Sequence, residues 1–120
     1  MCIVWNQSKK ILRYGESCIL DEVLFYLEEI ESTMCHFPIS KKIKVGRSEA
    51  CDIQLCTNGV SRYHFQIEEG VLQDFDSLNG TYVNSKRVKR CSLCMQDEIV
   101  FANIRMIYFK DYVLLDMVNN

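Results

Sequence analysis

Three short groups of residues near the middle of this 120-residue chain are placed to do chemistry together: Gly46-Arg47, Ser61-Arg62-Tyr63-His64 and Asn79-Gly80-Thr81-Tyr82-Val83-Asn84. Arg47 offers a planar fork of donors that can meet two oxygens of one anion, which a lysine ammonium cannot do. Ser61 has a short hydroxyl that can donate to an oxygen while also turning the chain. Arg62 sets a second cation beside it. His64, three residues after Ser61, invites comparison with a nucleophile and its base, but no Asp or Glu stands at a spacing that would orient it. Metal cluster and phosphate-loop texts are absent too, so the chemistry in view is capture of an anion and not bond cleavage.

Each group begins or ends a run of alternating apolar and polar residues, which puts each where a strand meets a loop. Ile43 and Val45 share one face, as do Ile53 and Leu55, then Phe65 and Ile67; residues 71–75, 81–84, 98–101 and 104–109 continue the series. Runs recurring at about 8 to 12 residues are the spacing of a β-sandwich. Asn58-Gly59, Glu69-Gly70 and Asn79-Gly80 punctuate them with residues that tolerate tight turns. Loops held by such a scaffold are where recognition residues tend to sit.

The texts GRSEACDIQL, VSRYHFQIEEG, DFDSLNGTYVNSKRV and QDEIVFANIRMIYF follow one another from about residue 41 to residue 110, and in that order they resemble the forkhead-associated (FHA) domain, a family of phosphothreonine-peptide readers. The resemblance implies an all-β chain folded as an FHA-type β-sandwich of two packed, mostly antiparallel sheets, with the recognition loops at one end. It divides the chain into an N-terminal extension of unassigned role at 1–20, the FHA domain at 21–110, and a C-terminal strand or linker at 111–120. Residues 20–31 suit either a helical face or a strand, and the resemblance selects 24–31 as the family's first strand, followed by 35–39 and 42–45. Residues 2–5 and 10–14 match nothing in the family but could pair as a hairpin.

A phosphothreonine presents about −1.5 to −2 charges and three strong acceptor oxygens, so a reader must bring several donors to one point. The resemblance assigns Arg47, Ser61 and Arg62 to the phosphate and Asn79 to the ligand backbone. It assigns structural support to Gly46, His64, Gly80 and Asn84, with the His64 imidazole holding the phosphate loop. One position departs from the family pattern: Leu78 stands where many members carry Thr or Ser against the phosphate. That removes a donor worth roughly 1.5 to 3 kcal/mol against a charged group, leaving weaker binding or compensation by Arg62 as the alternatives. The family's preference for threonine over serine rests on a small methyl pocket, in which one buried group is worth about 0.8 kcal/mol.

Composition narrows the rest. With 48% apolar and 25% charged residues the chain has the make-up of a globular domain, and its size allows a real core. A net charge of −2 gives no global pull toward nucleic acid, yet residues 41–90 hold nine basic against six acidic side chains, a locally positive stretch that suits an anionic peptide. Seven cysteines is an odd number, which argues against a paired disulfide framework, and no apolar run approaches a membrane span. The single CxxC, Cys91-Ser92-Leu93-Cys94, lacks the second pair a zinc site would want, so no metal and no cofactor is expected. The expectation is a non-catalytic signalling module, of the kind that serves as a regulatory domain of a larger protein such as a kinase, whose partner is a phosphothreonine-containing protein or peptide. Neither nucleic acid nor membrane is an expected partner, and the oligomeric state stays open. The reduced thiols suggest an intracellular setting, and the family's habits suggest the nucleus. The alternative is an FHA fold used for structure or dimerisation, without phosphate-dependent binding.

Overall fold

On the strand β4 (Lys42–Gly46), Ile43 and Val45 are fully buried while Lys42 is exposed, the period of two expected of a strand with one face on a core. The same alternation runs through β5 (Ile53–Cys56), β6 (Phe65–Glu68), β7 (Val71–Asp74), β11 (Glu98–Phe101), β12 (Ile104–Tyr108) and β13 (Tyr112–Asp116). The computed structural model describes residues 2–5, 10–13 and 34–116, and these hold thirteen strands and no helix. The expected first strand at 24–31 lies outside the described residues.

The remaining strands are β1 (Cys2–Trp5), β2 (Lys10–Arg13), β3 (Met34–Pro38), β8 (Tyr82–Val83), β9 (Lys86–Arg87) and β10 (Arg90–Ser92). They form two sheets, one in the order β10-β7-β6-β4-β5-β1-β2 and the other in the order β3-β13-β12-β11-β8-β9. Every described pairing is antiparallel except β4 with β5, where Val45 faces Ile53. Side chains from both inner faces make one core, and Phe65 of the first sheet meets Phe101 of the second edge-on, with ring centroids 4.9 Å apart. This is the sandwich expected from the alternation.

The hairpin expected near the N-terminus is present, with Trp5 opposite Lys10 and Cys2 opposite Arg13. It is also joined to the body of the fold, because β1 pairs with β5 and Ile3 is completely buried in the shared core. At the other end, β13 fills the place between β3 and β12 and buries Val113 and Leu115. Strands thus lie on both sides of the 21–110 stretch. Cys2 to Trp5 carries no alternation, so its face is set by the distant partner strand and not by local pattern.

The strands deliver three loops to one end of the sandwich: 47–52 after β4, 57–64 between β5 and β6, and 75–81 between β7 and β8. The turns at Glu69-Gly70 and Lys110 lie at the opposite end, since β6 and β12 run away from those loops. Because β1 is tied into the core only through a short strand, Ile3→Ala tests whether it belongs to the cooperative unit. The variant should be about 2 to 5 kcal/mol less stable in urea unfolding, and a loss below about 0.5 kcal/mol would show that β1 adds little to the core.

Candidate functional site

The first two loops are sewn together by backbone. The Arg47 amide donates to the Ser61 carbonyl at 3.0 Å, the Ser48 amide donates to the Arg62 carbonyl at 3.0 Å, and the His64 amide donates to the Val45 carbonyl at 2.9 Å. This approach is so close that a Cβ on Gly46 would stand 2.2 Å from the Arg62 carbonyl oxygen. The Arg62 carbonyl is backbone and cannot swing aside, and Cys51 Sγ would also stand 2.9 Å away, so only glycine fits. The Gln54 side-chain amide adds a bond to the Arg47 carbonyl at 3.2 Å. Arg47 and Arg62 are therefore held at a fixed spacing by main chain while their side chains stay exposed.

His64 joins the second loop to the third. Its ring is fully buried, edge-on to Phe65 and tilted against Phe101. The Ser61 amide donates to Nδ1 at 3.1 Å, so Nδ1 must be the unprotonated nitrogen, and Nε2 carries the hydrogen that is donated to the Gly80 carbonyl at 2.9 Å. Burial lowers its pKa below the ordinary histidine range, although the Gly80 carbonyl and Asp74 act in the other direction. The imidazole is thus a neutral strut and has no bond to the Ser61 hydroxyl. That hydroxyl instead accepts from the Leu78 amide at 3.1 Å. Asn79 adds a further tie, its side-chain amide donating to the Gly59 carbonyl at 3.0 Å.

The third loop is shaped by a buried network that the sequence reading passed over. Asp74 Oδ1 accepts from the Ser77 hydroxyl at 2.6 Å and from the Thr81 hydroxyl at 2.7 Å, and Oδ2 accepts from the Ser77 amide at 3.0 Å. Burial by itself would raise the Asp74 pKa, but these bonds, with His64 nearby, outweigh it and hold the carboxyl below the usual aspartate value. A signal was present: Leu72 and Asp74 occupy the same inward face of β7, so a carboxylate sat at a core position. Gly80 follows at φ +86°, with the Arg87 side chain lying over it; a Cβ there would come within 2.7 Å of Arg87 Nε. Asn84 holds the next turn at φ 49°, its side chain receiving from the Glu98 amide at 3.0 Å and donating to Asp97 at 2.9 Å.

Of the expected site residues, Arg47, Ser61 and Arg62 line one open cavity of about 690 Å³ together with Lys44, Tyr63 and Phe75. Asn79 stands outside its lining, tied to the second loop through Gly59. Gly46 ends β4 at the base of the first loop, His64 and Gly80 join the second loop to the third, and Asn84 sits farther off, anchoring the β8–β9 turn to β11. Leu78 is 83% exposed, so its side chain offers the loop no donor while its amide does. Lys44, Tyr63 and Phe75 were not foreseen, because on sequence alone Lys44 is only the outward residue between Ile43 and Val45. Among the described residues no group of three or more His, Cys, Asp or Glu side chains is placed to hold a metal ion.

The His64 bridge makes stability depend on pH with a definite sign. A histidine whose pKa is lowered by folding leaves the unfolded chain binding more protons, so its contribution is complete above about 6.5 and is lost as pH falls below that. His36, also lowered by burial, acts in the same sense. Urea unfolding at pH 7.5, 6.5 and 5.5 should show falling stability, and His64→Gln should be less stable at pH 7.5 yet change less over the series. An equal pH slope in both proteins would contradict a neutral buried His64.

Comparison with known proteins agrees with this architecture. Residues 43–102 match the family model of the FHA domain. The glycogen accumulation regulator GarA of Mycolicibacterium smegmatis is 40% identical over 67 residues, a stretch that covers 52% of this chain and 42% of GarA, so the chain spans well under two thirds of that relative. A structure of Mycobacterium tuberculosis EmbR in complex with a low-affinity phosphopeptide is similar at a TM-score of 0.59 and 26% identity, over 62% of this chain and 21% of EmbR. The second FHA domain of a Mycobacterium tuberculosis ABC transporter shares the fold at a TM-score of 0.58 and 24% identity, covering 92% of this chain and 90% of that domain. With half its residues matched to the family and its sheets arranged as in these structures, the chain belongs to the FHA-domain family.

Proposed function

We propose that this chain is a non-catalytic module that binds phosphothreonine-containing segments of partner proteins across its three clustered loops. Arg47, Ser61 and Arg62 meet the phosphate, Asn79 meets the ligand backbone, and Gly46, His64, Gly80 and Asn84 hold the loops in place. The observation that carries this reading is the convergence of Arg47, Ser61 and Arg62 on one open cavity. The phosphopeptide bound by EmbR supports it from a relative.

The hydrogen bonding explains how Ser61 serves such a ligand. Its oxygen accepts from the Leu78 amide, which leaves the hydroxyl hydrogen to be donated outward. Polarisation by the accepted bond strengthens that donation. The same arrangement speaks against a nucleophilic serine, because His64 is engaged on both nitrogens by backbone. The relatives named above are bacterial, which gives a nuclear setting no support, and the reading is confined to an intracellular one.

A short phosphopeptide makes a small interface, so affinity should be on the order of micromolar. Calorimetric titration with phosphothreonine, phosphoserine and unphosphorylated peptide pools tests the reading. Binding should require the phosphate and favour threonine, and Arg47→Ala should weaken it about 10- to 100-fold, as expected for charge-assisted bonds worth about 1.5 to 3 kcal/mol. Arg47→Lys should fall between, since it keeps the charge and loses the fork. Equal heats from phosphorylated and unphosphorylated pools would overturn the reading in favour of a structural or dimerising FHA fold.

A further inference from the structure

The cavity holds more positive charge than one phosphothreonine can match. Lys44, Arg47 and Arg62 all line it, and no carboxylate does. None of the three forms an ion pair among the described residues, unlike Lys89 with Asp76 or Arg105 with Glu98 and Asp116. Asp52 accepts from the Lys44 backbone amide and not from its ammonium. A phosphothreonine brings about −1.5 to −2 charges, so about 1 to 1.5 positive charges are left over.

The surplus has a location. Lys44 lies on β4 and Arg47 three residues later in the loop that follows, so their Cα atoms are at most roughly 10 Å apart. An extended ligand rises by the same amount per residue, so a group opposite Lys44 belongs to a ligand residue two or three places from the phosphothreonine. Leu78 and Asn79 take no part in the lining, and the cavity continues instead to Lys44, Tyr63 and Phe75. Resting on the phosphothreonine reading above, the geometry points to a ligand with a second anionic group, a phosphate or a carboxylate, two or three residues from the phosphothreonine on the side away from Asn79.

Fluorescence anisotropy with labelled peptides tests this on the whole chain. One peptide carries phosphothreonine in neutral surroundings, others add a phosphoserine, and a further set adds glutamate, at two or three positions on either side. The second phosphate, on one side only, should tighten binding about tenfold, and glutamate by less, as a weaker and less charged acceptor. In Lys44→Gln the gain from the second anion should shrink to less than about twofold, while Arg47→Ala weakens every peptide. The salt dependence of the gain should also flatten in Lys44→Gln. No gain, a gain that survives in Lys44→Gln, or displacement of the peptide by an equal concentration of single-stranded DNA would overturn the inference. If the singly phosphorylated peptide binds through Arg47 and the second anion adds nothing, only the second subsite falls; if no phosphopeptide binds a folded chain, the phosphothreonine reading falls with it.

Discussion

A neutral imidazole, buried between two loops, sets the shape of the recognition end. His64 accepts from the Ser61 amide with one nitrogen and donates to the Gly80 carbonyl with the other, and only an uncharged ring can do both. No aliphatic side chain can replace it, because two backbone groups would be left buried without partners, each at a cost of roughly 1 to 3 kcal/mol. The ring also packs on Phe65 and Phe101, which belong to opposite sheets. The position of the loops is in this way an extension of the hydrophobic core, and distortion of the core near Phe101 reaches the site directly.

Around that strut the main chain does most of the placing. Arg47 and Arg62 present guanidinium groups at the surface, yet the carbonyl of Arg62 is engaged by the Ser48 amide and the Cys51 thiol, and the Arg47 amide by Ser61. Rigid backbone and free side chains have opposite consequences for binding. Fixed Cα positions mean that the loops need not reorganise on contact, but each long side chain gives up as much as about 2 kcal/mol of rotamer entropy when it is held. Selectivity for a doubly acceptor-rich group such as phosphate can therefore be high while overall affinity stays modest.

What could be read from sequence followed the range of the forces involved. Period-two alternation identified β4 through β7 and β11 through β12, because each of these has one face on the core and four or five residues in which to show it. The strands β9 and β10 are two and three residues long and mostly exposed, too short and too polar to carry a period. The place of β1 depended on pairing with β5, some fifty residues away, which local pattern does not encode. At the site the family resemblance brought Arg47, Ser61, Arg62 and Asn79 into view. Lys44 joins the cavity because β4 lies beside β6, with Lys44 opposite Gln66, and the loop before β6 brings Ser61, Arg62 and Tyr63 to the same lining.

Leu78 shows how far a residue's type can mislead about its contribution. Read as a side chain, it removes a hydroxyl from the proposed phosphate site. In the folded loop, its amide donates to Ser61 Oγ, and the leucine side chain extends into solvent. The loop takes this path because Asp74 gathers Ser77 and Thr81 on either side of it, and that network is indifferent to the side chain at 78. A donor has been traded for orientation of the neighbouring hydroxyl, which is left with its hydrogen free to meet an anion. In the proposed reading Arg47 meets two phosphate oxygens and Ser61 a third, so a complete set of contacts does not require a hydroxyl at position 78.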